Sequence, residues 1–202
     1  MELRDLTGRP VSEIGLGCMN LSHAYGQAPP REMATAVLRT AFDLGITHFD
    51  TASLYGFGKN EELLGEILAP RRREILLASK CGMTGVDGKR VIDGRPETLR
   101  ATCEASLKRL RTDHIDLYYL HRWDKSVPVE ESVGALAELV AQGKIGAVGL
   151  SEISVATPRR AHVVHPIAAV QSEYSLWSRN PEYGVVVKKH RNVTPAGNCA
   201  SS

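Results

Sequence analysis

The chain has no CxxC pair and no finger-like spacing among Cys18, Cys81, Cys103 and Cys199. A structural zinc site or a dithiol redox site needs such spacing, so neither is expected. Thiols scattered in this way read as reduced groups in a cytoplasmic protein. No apolar run approaches the roughly 18 residues that cross a bilayer. The opening MELRDLTGRPVSEIGLG is charged from its second residue and does not read as a signal peptide. An excess of one charge is also lacking: a formal net charge of +2 is too small to argue for nucleic acid. The two basic runs, Arg71-Arg72-Arg73 and Lys188-Lys189-His190-Arg191, read as solvated surface. No GxGxxG follows the first strand, which removes the main sign of a dinucleotide-binding open sheet.

What is present is a strict alternation. With 202 residues of ordinary composition the chain forms one domain with a sizeable core. Leu3 to Val11 reads as a hairpin turning at Gly8-Arg9-Pro10. After a loop from Cys18 to Pro30, helical spacing of apolar residues runs from Arg31 to Leu44, and Gly45 stops it. Strands follow at Thr47–Asp50, Glu74–Lys80, Asp116–His121, Lys144–Ser151 and Ile167–Tyr174. Helices between them span Glu61–Leu68, Pro96–Leu110, Val129–Gln142 and Pro158–Val164. Asn60 is placed to cap the first of these and Thr157 the last. Alternating strands and helices predict βαβ units, a parallel sheet and right-handed crossovers.

Polar groups end nearly every strand: Asp50, Lys80, His121, Ser151 and Gln171. Convergence of strand C-termini on one face is a property of a barrel rather than an open sheet. Tyr55 lies just past Asp50. A phenol has an ordinary pKa of about 10, and a nearby cation lowers it. Lys80 could be that cation, held by Asp50, while His121 orients a carbonyl toward the Tyr55 hydroxyl. Such a set is a general acid primed to protonate an oxygen as it gains negative charge.

The stretches IGLG (Ile14–Gly17), FDTASLYGFGKNEELLGE (Phe49–Glu66), ASKCG (Ala78–Gly82), SLKRLRTDHIDLYYLHR (Ser106–Arg122), LVAQGKIGAVGLSE (Leu139–Glu152) and VQSEYSLWSR (Val170–Arg179) resemble the aldo-keto reductases. These are NADPH-dependent enzymes on a (β/α)8 TIM-type barrel. The resemblance implies a catalytic tetrad of Asp50, Tyr55, Lys80 and His121. It implies that Ser151 and Gln171, with Asp50, hold the nicotinamide end of NADPH, and that Cys18 and Met19 form the loop beside it. Tyr25 and Trp123 would line the pocket for a small carbonyl substrate. Glu152 stands where many relatives carry Asn.

The likeness fades after Pro181, and only residues 182 to 202 remain. A βα unit with its returning strand takes about 30 residues. The expectation is therefore an incomplete barrel over residues 1–182, of about six βα units plus the hairpin, and a divergent tail over 183–202. Val185 to Val187 is a candidate short strand there, and VTPAG is similar to a late helix of the family. The edges of the first and sixth strands would be unpaired and invite self-association. The loops that bind the adenosine phosphate would be missing, so NADPH binding would be weak. Two other readings stay open: Schiff-base chemistry at Lys80, and a non-catalytic regulatory form. His48, Asp50 and His121 make too sparse a set for a metal.

Overall fold

The computed structural model describes residues 1–22, 27–86, 89–154 and 156–179, with the backbone of 194 and 195. Tyr25, Val185 to Val187, Lys188 to Arg191 and Cys199 lie outside the described residues. The chain opens with an antiparallel hairpin, β1 (Leu3–Leu6) and β2 (Arg9–Ser12). Its turn is Thr7-Gly8, with φ of 59° and 80°, the left-handed pair that a two-residue hairpin needs. The turn therefore falls before the expected Gly8-Arg9-Pro10. Pro10 sits inside β2 opposite Asp5, in a two-stranded ribbon whose outer edge needs no N–H from it.

The main sheet is built from βα units: β3 (Leu16–Gly17), α1 (Arg31–Asp43), β4 (His48–Asp50), α2 (Lys59–Leu68) and β5 (Leu76–Cys81). A second hairpin, β6 (Met83–Val86) and β7 (Lys89–Ile92), then interrupts the pattern. The alternation resumes with α3 (Pro96–Leu110), β8 (Ile115–Leu120), α4 (Val129–Ala141), β9 (Ile145–Ser151), α5 (Ala156–Val164) and β10 (Ile167–Gln171). β11 (Thr194–Pro195) closes the described chain. The strands lie parallel in the order β3-β4-β5-β8-β9-β10-β11. This is the expected incomplete barrel. Within the VTPAG stretch, where a helix was expected, Thr194 and Pro195 form a strand, and β11 covers the edge of β10 that was expected to be open. Among the described residues β3 remains an unpaired edge.

Each strand sends alternate residues to two different cores. Outward, Phe49, Leu77, Tyr118, Leu120, Val148 and Leu150 meet the buried stripes of the helices, including Leu38, Leu64, Leu99, Cys103 and Leu136. Inward, Leu76, Ala78, Leu117, Tyr119 and Ala169 meet Leu6 and Val11, so the N-terminal hairpin plugs the barrel floor. Gly149 makes room there: a Cβ on it would sit 2.4 Å from the Tyr119 ring. On the outside, Gly65 lets α2 lie against the end of α3, since a Cβ would fall 2.2 Å from the Arg109 carbonyl oxygen.

The helix starts depart from expectation in two places. Asn60 is a residue inside α2, whose cap is Gly58 with φ of 96°, and its buried side chain serves the site instead. Thr157 lies within α5 and is buried rather than capping it. Arg72 is more than solvated surface. Its guanidinium binds Asp116 at 2.7 Å and the His114 carbonyl at 2.7 Å, and Asp116 in turn accepts the Leu77 N–H at 2.8 Å. No described helix is long and apolar enough to cross a membrane.

Candidate active site

Parallel pairing aligns the strand ends. Asp50 lies beside Ala78 in register, Lys80 beside Tyr119, and Gln171 beside Ser151. The C-termini of β4, β5, β8, β9 and β10 therefore deliver Asp50, Lys80, His121, Ser151 and Gln171 to one end of the barrel, and all five are buried.

Lys80 is the hub. Its ammonium contacts Asp50 Oδ1 as an ion pair, donates to the Thr51 carbonyl at 2.9 Å, and lies 3.1 Å from the Tyr55 hydroxyl. Three donors on an ammonium thus have three partners. Burial disfavours the charge on Lys80, but Asp50 and the Tyr55 oxygen outweigh it and hold its pKa above the ordinary value. The other Asp50 oxygen accepts from Gln171 Nε2 at 3.0 Å. Tyr55 sits in a tight turn, Tyr55–Gly58, where Gly56 and Phe57 take φ of 57° and 52°. Burial pushes the Tyr55 phenol above its ordinary pKa, and the Lys80 ammonium offsets only part of that rise. The expected depression by Lys80 is therefore present but outweighed, so the phenol rests protonated.

His121 meets the Tyr55 ring edge-on, with centroids 5.8 Å apart at 86°. Burial, then Lys80, Arg122 and Arg90, lower its pKa to about 3. At neutral pH it is an uncharged imidazole, suited to orienting a carbonyl and not to giving a proton away. Its Nδ1 is buried without a hydrogen-bond partner among the described residues.

The loop after β3 is pinned from below. The Cys18 N–H donates to the Asp50 carbonyl at 2.8 Å, and Met19 opens a single 3-10 turn, Met19–Leu21. Burial raises the Cys18 thiol far above its usual value, so Cys18 acts through its backbone. Sequence reasoning missed Asn60 as part of this scaffold. Its Nδ2 donates to the Cys18 carbonyl and to Ser22 Oγ, both at 2.8 Å, and its Oδ1 accepts from Thr51 Oγ1 at 2.6 Å. Thr51 is the residue whose carbonyl holds Lys80. Glu61, beside it, is fully buried and binds Ser79 Oγ at 2.6 Å and Arg109 Nη2 at 2.7 Å, fixing α2 between β5 and α3. Trp123 is turned to its own loop: its indole donates to the Val127 carbonyl at 2.9 Å, and Arg160 stacks 5.7 Å from its ring. Tyr25 is outside the described residues.

A phenol, a buried ammonium, a carboxylate and a neutral imidazole thus lie together at the mouth of a parallel β/α barrel. A family model described as "Aldo/keto reductase family" matches residues 13–195. A Glycine max protein named "Probable aldo-keto reductase 1" is 49% identical over 183 residues, covering 89% of this chain and 52% of that protein. The holo form of an aldo-keto reductase from Bacillus halodurans superposes with a TM-score of 0.86 at 32% identity, over 96% of this chain and 65% of its own. A glycerol dehydrogenase from Gluconobacter oxydans gives 0.85 at 31%, over 96% and 62%. The chain belongs to the aldo/keto reductase family, and it spans about half the length of the curated relative it matches.

Proposed function

We propose that the chain carries the reactive centre of an NADPH-dependent reductase that converts an aldehyde or ketone to an alcohol, with Tyr55 as general acid. The observation that carries this reading is the Lys80 ammonium, 3.1 Å from the Tyr55 hydroxyl and ion-paired to Asp50. A protonated phenol next to a fixed cation can give its proton to a forming alkoxide, because the phenolate left behind is stabilised at once. Lys80 holds that charge, Asp50 and the Thr51 carbonyl hold Lys80, and neutral His121 orients the carbonyl oxygen. Asp50, Lys80 and His121 are buried and Tyr55 is half-buried beside them, which limits the access of water to the proton's path.

The strand ends suit a nicotinamide carboxamide. Gln171 spends its N–H on Asp50 and keeps Oε1 as an acceptor, while Ser151 Oγ accepts weakly from Arg122 at 3.4 Å and keeps its O–H to donate. Together they would hold the amide, and Cys18 and Met19 would flank it. The bound cofactor supplies the hydride. The 202-residue chain spans about half the length of its curated relative and should bind NADPH more weakly than a full-length relative; a tryptophan-fluorescence titration of both checks this. The buried free thiols Cys18, Cys81 and Cys103 suit a reducing compartment, and we place the protein in the cytoplasm.

Schiff-base chemistry fits less well, because an imine-forming lysine needs a lowered pKa and Lys80 has a raised one with all its donors engaged. The test of the reductase reading is NADPH oxidation against a panel of aldehydes, with Tyr55→Phe as control. Loss of about 10²–10⁴-fold is expected from removing the acid; turnover that survives the substitution would take Tyr55 out of its role.

A further inference from the structure

We propose that the mouth of the site takes an anionic carbonyl compound, whose carboxylate is held by Arg90 and Arg122. The inference rests on the reductase reading above and names the substrate class of that same site.

The hairpin β6–β7 interrupts the βα alternation, and it begins at Met83, two residues beyond Cys81 at the reactive end of β5. Asp93 N–H bonds back to the Gly82 carbonyl at 3.1 Å and closes its base. Gly85 pairs with Arg90 across the ribbon. Directly paired residues of an antiparallel ribbon share a face. That face is set by Phe57: a Cβ on Gly85 would lie 2.1 Å from the Phe57 ring, so the ring rests on Gly85. Phe57 is two residues from Tyr55, in the same turn. Arg90 therefore projects from the side of the hairpin that meets the Tyr55 turn.

Arg122 stands just past the end of β8, one residue after His121. It is half-buried, donates to the His121 carbonyl at 2.9 Å, and reaches Ser151 Oγ at 3.4 Å. Neither guanidinium has a carboxylate partner among the described residues. Asp50 is already committed to Lys80 and Gln171. Both arginines nonetheless act on the site's acid-base groups: each lowers the His121 pKa, and Arg122 also lowers that of Tyr55. Elsewhere the arginines near acids are paired, as Arg72 with Asp116, Arg109 with Glu61 and Arg160 with Glu130. Two guanidinia without a carboxylate partner among the described residues, both near enough to His121 to act on it, make a positive focus that favours an anion. The anion belongs to the substrate, because these groups surround the reacting end and a nucleotide's charge lies on its phosphates.

The test uses terephthalaldehydic acid and its methyl ester, which carry the same aldehyde and differ by one charge. Dissociation constants are measured calorimetrically on the intact chain, and NADPH oxidation is followed in parallel. The acid should bind at least about tenfold tighter than the ester, as one charge-assisted bond supports, and added salt should narrow the gap. Arg90→Gln and Arg122→Gln should each remove most of the preference, and Arg90→Lys should restore part of it. Tyr55→Phe should keep the preference while losing reduction. Equal affinities in the unsubstituted chain, or a preference that survives both glutamine variants, would overturn the proposal. So would glutamine variants that lose NADPH affinity as much as acid affinity, since the arginines would then serve the cofactor. Reduction of acid and ester with equal kcat/KM would sink the anion site and leave the reductase reading standing; acid-selective binding without any NADPH oxidation would do the reverse.

Discussion

Below the mouth, β5 turns Leu76 and Ala78 into the barrel and β8 turns in Leu117 and Tyr119; one step further along the same faces stand Lys80 and His121. The lower layer is apolar and sealed by Leu6 and Val11 of the N-terminal hairpin. The upper layer is charged, equally buried, and held by hydrogen bonds. Identical strand geometry thus carries two kinds of order. Below, any well-packed apolar set would serve, since burial is what stabilises it. Above, each group is fixed by a named partner, and removing one leaves the other buried and unpaired.

The largest effect that separates the layers is expected from Lys80→Met. It leaves Asp50 buried without its cation, a loss of about 3–5 kcal/mol for a broken buried pair, and it also abolishes reduction; urea denaturation and NADPH oxidation measure the two. In the floor, Leu117→Ala should cost about 2–5 kcal/mol through the cavity it opens. Its activity per folded molecule should be unchanged, because no reacting group touches that layer. A floor substitution that abolished catalysis in folded protein would erase the distinction.

Asn60→Ala tests the scaffold between layers and loop. It strands the Thr51 hydroxyl and the Cys18 carbonyl, so about 1–3 kcal/mol is expected. Acid sensitivity is a further test. His121 has an ordinary pKa of 6.5 and one of about 3 in the fold. Between those values the unfolded chain binds more protons than the folded one, so stability is full above 6.5 and lost as pH falls toward 3. Burial also lowers the His48 pKa, which adds to the same loss. His121→Gln should flatten part of this slope, measured as denaturation midpoints at several pH values; an unchanged slope would mean that His121 is already charged in the fold.

The barrel and the meeting of Asp50, Tyr55, Lys80 and His121 at one end of it were legible because period and strand-end position carry them. Pro96 to Leu110 is a helix with the expected bounds, and the strand-end residues follow from where each apolar run stops. Three kinds of feature were not legible. The β6–β7 hairpin, which follows Gly82, consists mostly of exposed, weakly patterned residues, so no periodicity marks it. Asn60 and Glu61 look like helix-start residues, and only tertiary approach shows them bridging loops and α3. The resting state of Tyr55 needed burial as well as proximity: a nearby lysine argues for a lower pKa, and only the enclosed position reveals that desolvation wins.

The account stands on the contact between Lys80 and Tyr55. Titrating Tyr55 by NMR in protein labelled at the tyrosine ring carbon bearing oxygen, with Tyr55→Phe to assign the signal, tests it without any turnover. The phenol should titrate above the ordinary tyrosine value in the unsubstituted chain, and higher still in folded Lys80→Met, because the ammonium lowers it. Identical titration in the two proteins would show that Lys80 does not act on Tyr55 and would contradict the account.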